Sequence, residues 1–172
     1  MPVTTALDPE ATADFGSLFE THHKELFRLA LLLTGGDRSL AEEAVSHAFV
    51  ATLPKWREGN VLEAVPYLRR AVANQVNGTF RRRRLERREV MRPNRTEPST
   101  SPGERAVDDR DLLWSALRCL PPKQRSAVVL RFYLDLSETE AARVLGVSVG
   151  TVKSQTARGL VKLRQLLGGV DV

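Results

Sequence analysis

The stretch from Ser137 to Leu167 constrains the fold more than any other part of the chain. Its sequence, SETEAARVLGVSVGTVKSQTARGLVKLRQLL, predicts two helices that cross steeply over a tight turn. Ala142 is small enough to leave room for the crossing, and Gly146 can adopt a left-handed conformation without a Cβ penalty. Val152 is placed to pack the second helix against the first. This spacing is typical of a helix-turn-helix unit, whose second helix enters the DNA major groove.

The second helix of this unit carries the polar side chains that could contact DNA. We expect it to begin at Val149 with Ser148 as its N-cap. Gln155 can form paired hydrogen bonds with adenine, and lysine or arginine suits guanine or phosphate. The inward-facing residues are predicted to be Val152, Leu160 and Leu163. The candidate DNA contacts are Ser148, Gly150, Thr151, Lys153, Ser154, Gln155 and Arg158. A helical hairpin that serves packing alone is the alternative interpretation.

The basic charge of the chain is concentrated in two separate places. The net charge is only +5, but residues 81–95 contain eight arginines and two glutamates, and residues 148–172 contain four basic side chains and one acidic one. Residues 1–60 are acidic overall, with nine acidic and five basic side chains. Two electropositive patches indicate two contacts with a polyanion.

Helical periodicity predicts three helices before a linker. The first begins near Asp14, and the second follows a capping box formed by Ser39 and Glu42. Pro54 and Gly59-Asn60 mark the loop after the second helix. The third starts around Ala64, and its pattern fades near residue 91. Residues 92–107 are rich in proline, serine and threonine and predict an extended linker.

After the linker, a short amphipathic helix precedes a helix over 123–134, and the helix-turn-helix pair completes a four-helix unit. The predicted fold is therefore all-α, with two small helical domains joined by a flexible linker. The predicted boundaries are 1–13 for an N-terminal tail, 14–91 for the first domain, 92–107 for the linker and 108–168 for the second domain.

The sequence favours a binding protein over an enzyme. Gly146 to Gly150 match the G-x-S-x-G elbow of α/β-hydrolases, but a helix precedes the turn and no histidine follows Ser148. Cys119 is the single cysteine, and the three histidines lack zinc-site spacing. We therefore expect no catalytic residue, metal or cofactor. No apolar run approaches the length of a membrane span, so we expect a cytoplasmic protein without membrane insertion.

The third helix provides a second set of polar groups for a nucleic acid. Arginines neutralise phosphates, and asparagine side chains can both donate to and accept from base edges. The aromatic residues Trp56, Tyr67 and Phe80 could stack on an unpaired base, although core packing is the commoner role. The polar candidates are Arg69, Arg70, Asn74, Asn77, Arg81, Arg82, Arg83 and Arg84.

Taken together, the chain closely resembles the extracytoplasmic-function (group 4) sigma factors of bacterial RNA polymerase, in the sigma-70 family. The resemblance extends from Phe15 to Leu167 and depends on four segments in order. They are FGSLFETHHKELFRLALLLTGG, LAEEAVSHAFVATLPKW, YLRRAVANQVNGTFRRRR and LWSALRCLPPKQRSAVVLRFYLDLSETEAARVLGVSVGTVKSQTARGLVKLR. The YLRR and TVKSQT forms resemble a subgroup that is frequent in actinobacteria.

The resemblance implies a role for each domain. The first domain corresponds to sigma region 2, which binds the β′ clamp helices of core RNA polymerase and opens the −10 element. The second corresponds to region 4, which recognises the −35 element and contacts the β flap. Carried over to this chain, polymerase docking falls on Glu42, Glu43, Ser46, His47 and Phe49. The −10 contacts fall on Arg69, Asn74, Asn77 and Arg81 to Arg84, and the −35 contacts on Ser148, Thr151, Lys153, Ser154, Gln155 and Arg158.

Some positions depart from the family pattern. The family usually has Gln where Ser46 stands, an acidic residue where His47 stands and, in many members, Arg where Gln155 stands. The resemblance also leaves open an anti-sigma factor as a further partner. Two rival functions remain: a stand-alone helix-turn-helix regulator, which does not explain the second basic domain, and an RNA-binding adaptor, which gives the Thr151–Arg158 helix no purpose.

Overall fold

The computed structural model describes residues 9–89 and 109–168, and the side chains within them except those of residues 9–13, 84, 87–89 and 109–111. The described residues form helices and no strand, as the sequence predicts. The helices are α1 (Pro9–Thr34), α2 (Arg38–Arg57), α3 (Ala64–Glu89), α4 (Asp109–Arg118), α5 (Pro122–Val128), α6 (Glu138–Leu145) and α7 (Val149–Leu166), with a π-helical turn (Val129–Tyr133) directly after α5. We call α1–α3 the N-terminal lobe and α4–α7 the C-terminal lobe.

Helix α1 begins five residues before the predicted start at Asp14. Pro9 stands at its first position, where the fixed φ of proline suits a helix and its missing N–H is not needed. Residues 9–13, predicted to be part of a tail, are therefore helical. The buried face of α1 contains Phe15, Leu26, Leu29, Ala30 and Leu33.

Helix α2 starts from a different cap than the predicted one. Asp37, not Ser39, is the N-cap, and its carboxylate accepts a hydrogen bond from the Leu40 N–H at 3.0 Å. The predicted loop begins later than Pro54, because the helix continues to Arg57, and the predicted loop residues Gly59 and Asn60 do lie outside the helix. Pro54 lies in the last turn, and its carbonyl accepts the N–H of Glu58. A proline so close to a helix end removes one hydrogen bond without breaking the helix.

Helix α3 starts at Ala64, as predicted, and its buried side is formed by Leu68, Val72, Ala73 and Val76. It is helical to Glu89, and the predicted fading point at residue 91 lies outside the described residues. The predicted linker, 92–107, and residue 108 of the predicted second domain also lie outside them.

The predicted helix over 123–134 is divided in two. Helix α5 ends at Val128, and the next residues form a π-helical turn in which the Leu134 N–H donates to the Val129 carbonyl at 3.1 Å. The chain then leaves the helix through Asp135, which has a positive φ of 51°. This wider turn places Leu136, which is buried, before α6 begins.

The two lobes pack directly against each other. Helix α1 contacts α4 and α5, and α3 contacts α6, while α1, α2 and α3 pack among themselves. One cluster of buried apolar side chains includes members of both lobes, such as Leu33 and Leu130. The sequence predicted two helical domains but gave no indication of this contact, because it joins residues far apart in the chain.

Candidate nucleic-acid interface

The helix-turn-helix unit consists of α6 and α7 with the predicted turn between them. Ser137 caps α6 in a complete capping box: its hydroxyl accepts the N–H of Glu140, whose carboxylate accepts the N–H of Ser137 at 2.9 Å. These hydrogen bonds lower the pKa of Glu140. Gly146 adopts the left-handed conformation with φ 65°, and Val147 N–H donates to the Ala142 carbonyl across the turn at 3.1 Å. The predicted turn geometry is confirmed.

Helix α7 begins at Val149 with Ser148 as its N-cap, as predicted. Ser148 accepts the N–H of Thr151 at 3.1 Å. The buried side of α7 includes Val152, Gly159 and Leu163. Leu160, predicted to be core, is only partly buried, and Gly159 faces the core instead. At that point α7 approaches α5 so closely that a Cβ on Gly159 would lie 2.7 Å from Cγ2 of Val128.

Most of the predicted −35 residues lie on one edge of α7. At 100° per residue, five polar side chains fall within an arc of about 100° beside the buried face. We call them the α7 stripe: Thr151, Ser154, Gln155, Arg158 and Lys162. Sequence reasoning did not include Lys162 among the DNA contacts, although its position four residues after Arg158 places it on the same edge of the helix. Gln155 and Ser154 are half-buried and Arg158 is exposed.

Two predicted −35 residues, Lys153 and Ser148, do not belong to the α7 stripe. Lys153 lies on the opposite flank of α7, where its Nζ pairs with Glu138 of α6 at 3.4 Å. Ser148 uses its hydroxyl within the helix cap and shares a 2.9 Å hydrogen bond with the hydroxyl of Thr151. Arg158 and Lys162, by contrast, line a shallow hollow of about 340 Å³ with Gln124 at the start of α5. Arg158 and Lys162 therefore make the α7 stripe basic on the side facing α5.

A second polar edge runs along α3. Five side chains with helical spacing fall within about 80° on the side opposite the buried face. We call them the α3 stripe: Tyr67, Arg70, Asn74, Asn77 and Arg81. Asn74 and Arg81 are exposed. Asn77 is half-buried, and its Nδ2 is enclosed without a hydrogen-bond partner.

The other predicted −10 residues lie off this stripe. Arg69 forms an ion pair with Glu25 of α1, which also lies 3.6 Å from the imidazole of His22, so Arg69 holds α3 against α1. Arg82 donates to the hydroxyl of Thr79 at 3.2 Å. Arg83 is exposed on another side of the helix. The side chain of Arg84 lies outside the described residues.

A shallow hollow of about 300 Å³ opens at the start of the α3 stripe. It is lined by Leu62, Glu63, Pro66, Tyr67 and Arg70. Leu62 is 97% exposed, and sequence reasoning missed it because nothing in a loop pattern shows which side chain will project. Lys55 donates to the Tyr67 hydroxyl at 2.8 Å and thereby fixes the ring, and this bond raises the pKa of Lys55.

The predicted docking residues of α2 divide into a surface group and a core residue. Glu42, Glu43, Ser46 and His47 are exposed. Phe49 is only 5% exposed and packs edge-on against Phe15 and Phe19, so it supports the helix from within and cannot form part of its surface. Val50, which sequence reasoning missed, is 71% exposed and shares a face with Glu43, Ser46 and His47.

The described residues contain no group of His, Cys, Asp and Glu side chains that could hold a metal ion. None of the described helices is both long and apolar enough to cross a membrane.

Comparisons with known proteins agree with this arrangement. Residues 110–163 match the family described as sigma-70, region 4. The chain is 35% identical over 162 residues to the RNA polymerase sigma-E factor of Streptomyces avermitilis, covering 92% of this chain and 88% of that protein. It is 33% identical over 155 residues to the ECF RNA polymerase sigma factor SigM of Mycobacterium tuberculosis, covering 90% of this chain and 77% of that protein.

Solved structures show the same fold. The sigma factor RpoE of Bartonella quintana, in complex with the anti-sigma factor NepR, superimposes with a TM-score of 0.64 at 23% identity, covering 92% of this chain and 99% of that one. CnrH in complex with the cytosolic domain of CnrY gives a TM-score of 0.55 at 25% identity, covering 93% and 91%. With the helix-turn-helix unit, the two polar stripes and relatives covered over 88% and 77% of their length, the chain belongs to the extracytoplasmic-function sigma factors of RNA polymerase, of the actinobacterial type.

Proposed function

We propose that this chain directs core RNA polymerase to promoters by contacting two DNA elements with its two polar stripes. The division into an N-terminal unit, residues 14–91, that serves as sigma region 2 and a C-terminal unit, residues 108–168, that serves as region 4 is part of this proposal. The observation that supports it most strongly is the pair of polar helix edges, one on each lobe, each opposite a buried face.

The α7 stripe is proposed to contact the −35 element as duplex DNA. An α-helix fits the major groove, and residues near its N-terminus reach base edges. Gln155 and Thr151 lie in the first two turns and would contact bases. Arg158 and Lys162, beside Gln124, would contact phosphates of the same strand. Lys153 is proposed to contact the backbone from the other flank, where Glu138 now pairs with it. Ser148 fixes the helix start, and Ser154 adds a half-buried hydroxyl that donates to the Thr151 carbonyl.

The α3 stripe is proposed to open and hold the −10 element. Extruding a base from the duplex costs a few kcal/mol. Stacking a base on an aromatic ring offsets about 1–3 kcal/mol of that cost. Tyr67, fixed by Lys55 beside the hollow, supplies such a ring, and Asn74 and Asn77 supply hydrogen-bonding groups further along. Arg81, Arg82, Arg83 and Arg84 would neutralise phosphates, while Arg69 acts indirectly by holding α3 on α1.

The exposed face of α2 is proposed to dock on polymerase, at the β′ clamp helices, while the C-terminal lobe contacts the β flap. Val50 is the large exposed apolar side chain of this face. Ser46 and His47 lie one turn before it, and Glu42 and Glu43 lie one further turn back. The chain itself is proposed to bind and position rather than to catalyse, and to act in the cytoplasm, where polymerase works. An anti-sigma factor is a further proposed partner, since the superimposed RpoE of Bartonella quintana was solved in complex with the anti-sigma factor NepR.

Reconstitution with core RNA polymerase from a Streptomyces species tests the proposal. The purified chain, core enzyme and a pool of randomised promoter templates are incubated, and the transcripts are sequenced. We expect initiation that depends on the chain and enriches two separated sequence motifs. A chain that binds duplex DNA tightly by itself and never supports initiation would be a stand-alone helix-turn-helix regulator.

A docking variant tests the α2 face separately. Val50→Asp is expected to abolish binding to core polymerase, because a charge would replace the central apolar contact, while the free energy of unfolding stays within about 0.5 kcal/mol of the parent. Ser17→Asp, on an exposed position of α1, is the matched control. Equal polymerase binding by both variants would contradict the proposed face.

A further inference from the structure

The two flanks of α7 hold their basic side chains in different ways. On one flank, Arg158 and Lys162 lie beside the neutral amide of Gln124, and neither forms an ion pair with another of the described residues. On the other flank, the Nζ of Lys153 lies 3.4 Å from a carboxylate oxygen of Glu138, the first residue of α6. The basic residue nearest the start of α7 therefore has its own counter-ion within the helix-turn-helix unit.

The carboxylate of Glu138 is not needed to cap α6. The capping box is complete without it, because the Ser137 hydroxyl accepts the N–H of Glu140 and the Glu140 carboxylate accepts the N–H of Ser137. An acidic side chain in the first turn also interacts favourably with the helix dipole, whichever way it points. The cap and the dipole thus leave the contact between Glu138 and Lys153 unexplained, and this contact is where Glu138 can act on α7.

Lys153 lies in the part of α7 that can reach base edges. It stands in the second turn of the helix, and the N-terminal residues of such a helix contact bases when it enters the major groove. A lysine there can donate to guanine O6 and N7 or to a phosphate. The direction of its side chain decides between the two, and 62% of that side chain is exposed, so little packing fixes it. Its ion pair with Glu138 is therefore the contact that orients it.

The position of Glu138 turns the lysine toward the DNA backbone. In a helix-turn-helix unit the second helix lies in the groove, whereas the first helix crosses the backbone. Glu138 belongs to the first helix, so a lysine paired with it points to the backbone side of α7. Around the helix axis Lys153 lies about 160° from Gln155, which faces the other flank. To donate to a base in the groove, Lys153 has to leave Glu138.

We propose that Glu138 determines part of the −35 specificity: it holds Lys153 on the backbone side and suppresses the reading of a guanine by that lysine. Glu138 acts through Lys153 and is a positioning residue. Gln155, which suits adenine, then remains the main base-reading side chain of α7. Specific interfaces often discriminate by opposing an unwanted contact in this way. The inference deepens the proposed function and rests on it for the role of α7.

The strength of the ion pair sets the size of the effect. An exposed pair of this kind shifts an equilibrium by up to about fivefold. Because Lys153 gives up this pair when it donates to a base, the pair disfavours guanine by the same factor. A phosphate contact is affected less, since an ammonium group has three N–H donors and can bind a phosphate and Glu138 together.

Glu138→Gln tests the proposal by removing the charge and keeping a polar side chain of the same length. The full chain selects among short randomised duplexes at low salt, where phosphate contacts strengthen all binding, and the bound duplexes are sequenced. We expect the preference for guanine at one position of the selected sequence to rise about two- to fivefold over that of the parent chain. The preference for adenine assigned to Gln155 should stay as it is in the parent.

The matched control is the same substitution in a Lys153→Met chain. It removes the same negative charge from the same position of α6, so any change in the helix dipole or in the repulsion of phosphates is retained. The ammonium that could read guanine is absent. We expect no gain in guanine preference when Glu138→Gln is added to Lys153→Met.

Three results would overturn the inference: an unchanged guanine preference in Glu138→Gln, a gain that persists in the Lys153→Met chain, or an equal rise in affinity for all sequences. Failure of every chain to retain duplexes at low salt would overturn it as well. The same variants are then compared with core polymerase on the randomised promoter pool. Failure of the parent chain to direct initiation would refute the proposed function and leave the result of the duplex selection standing.

Discussion

The α3 stripe and the α7 stripe are similar in composition, but their polar side chains are held in different ways. On α7, the hydroxyls of Ser154 and Thr151 bond within the helix or its cap, and the arginine and lysine border a hollow inside the same lobe. On α3, Arg70 and Arg81 meet the opposite lobe. The α7 stripe is therefore built by local sequence, whereas the state of the α3 stripe depends on how the two lobes are arranged.

The largest expected effect comes from Arg125, whose guanidinium donates to a carbonyl of each lobe. Arg125→Met should lower the free energy of unfolding by about 2–4 kcal/mol, because buried carbonyls of Leu33 and Leu120 lose a charged donor. Urea unfolding measures the change. Arg164→Met, at an exposed position of α7, should change it by less than about 0.5 kcal/mol. Similar values for the two variants would mean that the Arg125 contact does not join the lobes.

A smaller effect is expected where α7 packs on α5. Gly159→Ala should destabilise the chain by about 1–3 kcal/mol, because its Cβ would overlap Val128 and approach the Gln124 carbonyl to 3.3 Å. Gly150→Ala, on the same helix, meets only Ser148 Oγ at 3.9 Å and should stabilise by up to about 1 kcal/mol through helix propensity. Thermal or urea unfolding of both variants compares them, and equal signs would show that α7 is not held closely on α5.

Substitutions in the two stripes should change the preference for different promoter elements. Gln155→Ala should alter the preference for one base of the −35 element by about 1–3 kcal/mol and leave the −10 preference and polymerase binding unchanged. Asn74→Ala should alter the −10 preference and leave the −35 preference and polymerase binding unchanged. Sequencing of transcripts from the randomised promoter pool measures both preferences at once. Loss of polymerase binding in Gln155→Ala would contradict the assignment of the C-terminal lobe.

The smallest expected effect is a pH dependence confined to Glu140. Its folded pKa is held below the ordinary value, first by hydrogen bonds from Ser137 and then by Arg70. Its stabilising contribution is therefore present above the unfolded pKa and is lost as pH falls through the folded one. Urea unfolding of the parent chain at a series of pH values should show this loss of stability in acid, and Glu140→Gln should lack this step. A step of equal size in Glu140→Gln would assign it to other carboxylates.

Sequence reasoning succeeded where a structure is set by neighbours within a few residues. The capped start of α7 at Ser148 and the left-handed Gly146 follow from side-chain chemistry and backbone sterics at those positions. It failed at Leu160 and Phe49, because packing against distant helices decided which apolar side chains were buried. At Pro54 it failed because a proline in the last turn removes one hydrogen bond without ending the helix. It also missed Val50 and Leu62, which are exposed because no other helix packs over them.

The sequence by itself determined an all-α chain with a helix-turn-helix unit, two basic polar helices and membership of a sigma factor family. These follow from periodicity, caps and ordered motifs, which are local properties of the chain. Only the tertiary structure decided that Arg70 faces Glu140, that Arg125 closes the end of α1 and that Arg69 serves packing. Each of those contacts joins residues at least 44 positions apart, and no local energy specifies such a pair.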